Sequence, residues 1–161
     1  MTITNGRPDG YTTLTPFLVC SPAAQAIDFY CEVFGATVAS RMDGPDGTVM
    51  HAELDFGVGR LQLGDAAAEY GLVAPDRSAD SGDTVSSSTC IYVEDVDAVF
   101  DRAVARGATV REPVATFVTG DRFASIYDPF GHRWAIMTRV EDVSPEEAER
   151  RLDEWAASQG S

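Results

Sequence analysis

Two histidines, three cysteines and closely spaced carboxylates are the side chains through which this 161-residue chain could do chemistry. His51 and Glu53 stand two apart, the spacing that puts both side chains on one face of a β-strand. An imidazole beside a carboxylate can serve as an acid–base pair; the same pair can also be a structural hydrogen bond on a solvated face. His132 lies in Asp128-Pro129-Phe130-Gly131-His132-Arg133-Trp134, where an acid, an imidazole and a guanidinium fall close together. Pro129 and Gly131 make that run a strand, a turn and a strand, which leaves His132 as a turn residue with local contacts. A two-histidine, one-carboxylate metal triad would need both histidines, and they sit in different halves of the chain. Cys20, Cys31 and Cys90 form no C-x-x-C pair and read as reduced, buried, inert thiols. Cys90 as a nucleophile would need a base beside it. There is no G-x-S-x-G elbow, no G-x-x-x-x-G-K phosphate loop and no H-E-x-x-H pair.

A repeated order of elements must position these groups. Residues 14–20 read as a strand. Ser21 then reads as a helix cap and Pro22 as the first helical residue. That helix runs to Phe34 and ends at Gly35, with Ile27, Tyr30, Cys31 and Phe34 as its apolar stripe. Strands over 37–42, 49–56 and 60–63 complete a β-α-β-β-β module spanning 13–64. The second module, 88–140, has a strand at 89–93 and a helix at 95–106 ended by Gly107. Strands at 110–113, 122–127 and 133–139 follow. Gly107-Ala108-Thr109-Val110 repeats Gly35-Ala36-Thr37-Val38 letter for letter, and the hairpin at 128–134 has a shorter echo at 55–61. Matching letters and matching element order point to a tandem duplication, and the fold class is α+β.

Three segments lie outside the modules. Residues 1–12 are polar and turn-rich, a flexible leader. Residues 65–87, rich in Ala, Ser, Asp and Gly, read as a linker or a lid. Residues 141–161 read as a C-terminal helix and tail, with Ser144 as cap, Pro145 at the first position and Glu147 completing a capping box. Leu152 and Trp155 are that helix's large apolar anchors, against the body or a partner.

Composition narrows the function. The net charge of −14 opposes binding to nucleic acid or to anionic membrane surfaces, which need basic stripes. Acidity of this size serves solubility and suits cationic ligands. The chain is 44% hydrophobic with 24% charged residues, ordinary for a globular protein, and no run of about 18 apolar residues spans a membrane. The polar N-terminus lacks a signal-peptide core, so the expected location is the cytoplasm.

Specific runs carry a family resemblance. They are Thr15-Pro16-Phe17-Leu18-Val19, Ala26-Ile27-Asp28-Phe29-Tyr30, Met50-His51-Ala52-Glu53-Leu54, Gly120-Asp121-Arg122-Phe123, Asp128 to Trp134, and Val143-Ser144-Pro145-Glu146-Glu147. With the duplication, they make the chain resemble the vicinal oxygen chelate superfamily, the glyoxalase and bleomycin-resistance fold, and within it the PhnB-like branch. The resemblance covers residues 13 to about 150. It implies that each module curls into half of an incomplete barrel, that the halves enclose a cleft, and that the protein is a homodimer. Many members hold a divalent metal there on four side chains, two from each half; others simply bind a compound.

Placing that ligand pattern on this chain gives Thr15, Gln62, Ser88 and Ala135, with Thr15 and Ser88, like Gln62 and Ala135, 73 positions apart. None is His, Glu or Asp, so a metal in the usual place is not expected and no cofactor is assigned. Period-2 alternation then gives the cleft lining. It puts His51, Glu53 and Asp55, with Val49, on one face, and Met50, Ala52, Leu54 and Phe56 beneath the helix. The other expected lining residues are Thr15, Phe17, Val19, Arg60, Gln62, Ser88, Cys90, Tyr92, Phe123, Ser125, Tyr127, Arg133, Ala135 and Met137. Leu61, Leu63, Ile91, Val93, Trp134 and Ile136 face the helices. Aromatics, Met, hydroxyls and arginine make a small-molecule pocket in type. The expected function is a metal-free protein that holds a small organic molecule. The alternatives are a lyase, isomerase or dioxygenase using a displaced metal or His51 and Glu53, and an accessory protein whose product is its dimer surface.

Overall fold

The computed structural model describes residues 6–76 and 84–160; the first part of the expected leader and the stretch 77–83 of the expected lid lie outside the described residues. The elements in order are β1 (Phe17–Val19), α1 (Ala23–Phe34), β2 (Thr37–Asp43), β3 (Val49–Asp55), β4 (Arg60–Gly64), β5 (Ser88–Tyr92), α2 (Val96–Ala105), β6 (Thr109–Thr116), β7 (Asp121–Tyr127), β8 (Arg133–Arg139) and α3 (Pro145–Gln159). A one-turn 3₁₀ helix, Ala68–Tyr70, interrupts the connection after β4. No helix among the described residues is long and apolar enough to cross a membrane.

Two four-stranded mixed sheets share one topology, β1-β4-β3-β2 and β5-β8-β7-β6. In each, the first strand runs parallel to the fourth and the remaining pairs are antiparallel. The register carries the duplication further than the letters do. Phe17 lies opposite Gln62 and Cys90 opposite Ala135, each pair displaced by the same 73 positions. The α+β class and the tandem β-α-β-β-β order are thus realised. The chain forms two compact units, residues 1–86 with 129–132, and residues 87–128 with 133–161.

In the first unit α1 buries Ala23, Ala26, Ile27, Phe29, Tyr30 and Val33, a wider face than its expected stripe. Phe29 and Tyr30 both meet Phe130 edge-on, with ring centroids 6.1 and 6.4 Å apart, so the helix has apolar partners beyond its own sheet. Ser21 does not cap this helix. Pro22 occupies the cap position with extended backbone, one residue later than expected, and no side chain of its own neighbourhood reaches the free N–H groups. Asp65, just beyond β4, does that work from 42 residues away: its Oδ1 accepts from the Ala23 N–H at 3.0 Å and its Oδ2 from the Val49 N–H at 2.8 Å. Gly35 ends the helix in the left-handed conformation (φ 74°), as its sequence position implies.

The alternation of β3 holds from His51 to Asp55 but reverses at its start. Met50 is exposed and Val49 is buried. Met42 pairs with His51 and Asp43 with Val49, so Met50 is the extra residue of a bulge, which turns the strand by one side chain.

In the second unit Asp95 caps α2, accepting from the Ala98 N–H at 3.1 Å. Strand β6 is longer than expected and tolerates Pro113 because it is an edge strand with register shifts around that residue. Helix α3 docks on its own unit. Trp155 stands edge-on to Phe117 at 5.3 Å, and Arg151 donates to the Val118 carbonyl at 3.2 Å. Ser144 accepts from the Glu147 N–H at 3.3 Å, but the return arm of the capping box is absent, because the Glu147 carboxylate binds Arg150 and Arg151 instead.

Those two guanidiniums hold the Glu147 carboxyl at about 2, from an ordinary value of 4.5. A carboxyl depressed on folding contributes stability above its unfolded value, and that contribution disappears as pH falls toward the folded one. Far-UV circular dichroism is therefore expected to show loss of α3 helix between about pH 4.5 and pH 2. Glu147→Gln should remove that step, and added salt should shrink it, since the pair is solvent-facing.

Candidate functional site

In the first unit the open sheet face is a charged cluster. The register puts Phe17 opposite Gln62, Gln62 opposite Glu53, and Arg60 opposite Asp55. His51 lies one strand position further on, its ring 5.9 Å from that of Phe17 and its Nε2 3.6 Å from Glu53 Oε1. Arg60 reaches Glu53 through Nη1 at 3.2 Å and lies 3.6 Å from Asp55 through Nε. Thr15, before β1, spends its hydroxyl on the Thr12 carbonyl at 3.3 Å.

Tyr11 completes the cluster. Its ring lies under the Arg60 guanidinium at 4.7 Å, and its hydroxyl is the leading reason that Glu53 sits below the usual carboxylate range. Burial opposes that shift, while His51 and Arg60 reinforce it. Glu53 is consequently a firmly ionised carboxylate, a weak proton acceptor and a good anchor for cationic or hydrogen-bond-donating groups. The His51 ring is tilted 35° to that of Phe17 while its Nε2 faces Glu53.

In the second unit the corresponding face is a grid of three rows. Ser88 lies opposite Arg133 and Arg133 opposite Tyr127; Cys90, Ala135 and Ser125 make the second row; Tyr92, Met137 and Phe123 make the third. Exposure falls across the rows: the β5 residues are exposed, those of β8 half-buried, and Ser125 and Tyr127 buried. Arg133 donates to the Ser125 hydroxyl at 3.3 Å, and the Cys90 thiol contacts the Met137 sulfur at 3.1 Å. The two faces share strand positions but differ in chemistry. Carboxylates cluster on the first, and sulfur, hydroxyl and aromatic groups dominate the second.

Several sequence expectations need correction in detail. Cys20 is buried and Cys31 half-buried, but Cys90 is exposed. Partial desolvation and then the Asp121 carboxylate push its thiol up, which keeps it protonated and opposes nucleophilic use. His132 reaches beyond its own turn. Its ring N–H donates to the Val19 carbonyl at 2.9 Å, 113 positions away, tying the 129–132 turn to β1 of the first unit. Trp134, as expected, turns away from the open face, toward α2.

The four positions where the superfamily pattern would place metal ligands carry a hydroxyl, an amide, a hydroxyl and a methyl. These do not fit a transition metal. Among the described residues no group of three or more His, Cys, Asp and Glu side chains is arranged to hold an ion. Tyr11 is a cluster member missing from the expected lining; it had no signal beyond being the first aromatic in a polar leader.

Paired β-α-β-β-β units of this topology define a glyoxalase-type fold. The profile of the Glyoxalase/Bleomycin resistance protein/Dioxygenase superfamily matches residues 12–136, and the chain belongs to that superfamily. An uncharacterized protein of Mycobacterium bovis is 36% identical over 140 residues, which cover 86% of this chain and 91% of that one. Among solved structures, TioX from Micromonospora sp. ML1 is similar with a TM-score of 0.61 and 26% identity, over 80% of this chain and 98% of TioX. The PhnB protein of Bacillus cereus shares the fold, with a TM-score of 0.60 and 20% identity over 79% of this chain and 99% of that one.

Proposed function

We propose that this protein binds a small organic molecule against these sheet faces, in the cleft that the family resemblance implies, without a transition metal at the superfamily's usual positions. The observation that carries this is the donor set. Where metal-using relatives would present carboxylates or imidazoles, Thr15, Gln62, Ser88 and Ala135 offer nothing that binds a borderline metal well. What the faces do offer is aromatic rings, hydroxyls, sulfur, two arginines and an ionised Glu53, the mixture that orients a small ligand. The acidity favours a ligand with a cationic or donor-rich group. Action as a cytoplasmic homodimer, with no nucleic-acid or membrane partner, belongs to the same reading.

The test is native mass spectrometry together with elemental analysis on protein taken directly from cells. A co-purifying small molecule without metal is the expected result. Stoichiometric Ni, Zn, Fe or Mn would sink the metal-free reading. A thermal-shift screen in which no aromatic or cationic compound raises the melting temperature would count against ligand binding.

One observation favours an enzymatic alternative, a lyase, isomerase or dioxygenase of the superfamily type: His51 lies within proton-transfer reach of Glu53 once either side chain moves slightly. In that case His51→Ala leaves ligand affinity nearly unchanged and lowers turnover by about 10²–10⁴-fold, the usual worth of a general acid or base. Equal ligand affinity with no turnover in either protein returns the decision to simple binding.

A further inference from the structure

Residues 8–15 lie on the first unit in a tightly organised course. The Tyr11 N–H donates to the Pro8 carbonyl at 3.3 Å, the Thr12 hydroxyl to the Leu14 carbonyl at 2.6 Å, and Arg7 to the Thr13 hydroxyl at 3.1 Å. Gly10 has φ +83°, and a Cβ built on it would lie 2.9 Å from the Arg60 guanidinium, so the backbone itself is pressed against that side chain. Tyr11 follows directly, with its ring stacked on the same guanidinium at 4.7 Å. Its hydroxyl is also the leading influence on both charges, an electrostatic bridge that lowers the Glu53 carboxyl and raises the Arg60 guanidinium. Beneath it the Arg60 Nε–H is buried without a hydrogen-bond acceptor among the described residues. The superfamily profile begins at residue 12, one position after Tyr11.

We infer that Tyr11 is an internal occupant of the binding face: it fills the place on Arg60 and Glu53 that a ligand's ring takes, and the ligand class accepted there is a planar, phenol-like ring carrying one hydrogen-bond donor. The chemistry of the place defines the class. A flat cation selects a π-face, and the ionised carboxylate paired with that cation selects an O–H or N–H. The N-terminal strap must lift for such a ring to enter, so the face binds with an affinity reduced by the fraction of time the strap is down. This inference rests on reading the face as a small-molecule site.

p-Cresol, the tyrosine side chain as a free molecule, is the probe, and the full-length protein is titrated with it by NMR and by thermal shift. Tyr11→Ala is expected to bind p-cresol at least about tenfold more tightly than the unaltered protein, because the competing occupant is gone. Toluene, which lacks the donor, should bind Tyr11→Ala markedly more weakly than p-cresol. Adding Arg60→Leu to Tyr11→Ala should abolish the gain. Equal p-cresol affinity with and without Tyr11, or a gain that survives Arg60→Leu, overturns the inference while leaving the small-molecule reading standing. Failure of the cell-derived ligand search and of the compound screen would sink that broader reading and leave the p-cresol comparison untouched. Should Tyr11→Ala fail to fold, Tyr11→Phe keeps the ring and removes the hydroxyl. Carbon-detected titration of Glu53 is then expected to move up toward the ordinary carboxylate range, and an unmoved Glu53 overturns the bridge.

Discussion

Trp134→Ala is expected to destabilise the protein by about 3–5 kcal/mol from lost burial and the cavity left behind, with a further ~1–3 kcal/mol from the lost hydrogen bond to a buried carboxylate. Trp134 is 2% exposed, and its indole N–H donates at 2.9 Å to Asp128 Oδ2, a carboxylate that is itself 1% exposed. The pair closes the β7–β8 hairpin from the inside, with the ring lying on the same side of β8 as the buried Ile136. Removing the ring empties a large volume that the surrounding strands cannot collapse into. Trp134→Phe separates the two causes. It restores most of the apolar volume but still loses the hydrogen bond to Asp128, and so should cost about 1–3 kcal/mol. Urea unfolding at neutral pH reads both as a lowered midpoint with an unchanged slope. Two variants within experimental error of each other would show that the lost hydrogen bond accounts for the destabilisation and that the ring's volume contributes little.

The second large effect belongs to Gly120. Its φ is +90°, and a Cβ there would stand 2.2 Å from the Glu141 carbonyl oxygen, with Glu141 carbon and Val143 close behind. The close approach exists because the Gly120 carbonyl accepts from the N–H groups of both Val140 and Glu141, at 2.9 and 3.1 Å, which fastens the exit of β8 to the β6–β7 turn. Gly120→Ala therefore adds a backbone clash to the cost of a left-handed alanine, and a loss on the order of 3 kcal/mol is expected. Gly35→Ala is the control. Gly35 also has positive φ (+74°) but nothing within 4 Å of its would-be Cβ, so only the conformational cost of about 1 kcal/mol applies. Thermal or urea unfolding of the two variants side by side measures the clash by difference. Equal losses would mean that the Glu141 carbonyl moves aside freely. The consequence of a large loss reaches α3, because the same segment leads into the Ser144 cap and its acceptor bond from Glu147.

Much of this protein is legible in its residues. The glycines at 35 and 107, the alternation of β4 and β8, and the repeated Gly-Ala-Thr-Val determined two β-α-β-β-β modules in the same order, since turn chemistry and side-chain periodicity act within a few residues. The same alternation assigned Trp134 and Ile136 to the helix side and Ala135 to the open side. Ser144 capped α3 for the same local reason.

Other features were settled by tertiary structure. Asp65 caps α1 across 42 residues, because Pro22 rather than Ser21 stands at the helix start. A bulge at Met50 exchanges the burial of Met50 and Val49, and no periodicity announces an extra residue. His132 bonds to Val19, 113 positions away, and Cys90 is open to solvent rather than buried. Above all, Tyr11, in a stretch that reads as a leader, lies on Arg60. Each of these depends on which strands pair, in what register and where a distant segment crosses, and such long-range choices are made by burial and hydrogen-bond satisfaction over the whole chain. The sequence by itself determined the frame of the site and the absence of the usual ligands from it. Tertiary packing decided which charges meet on that frame and that a tyrosine from the N-terminus already sits among them.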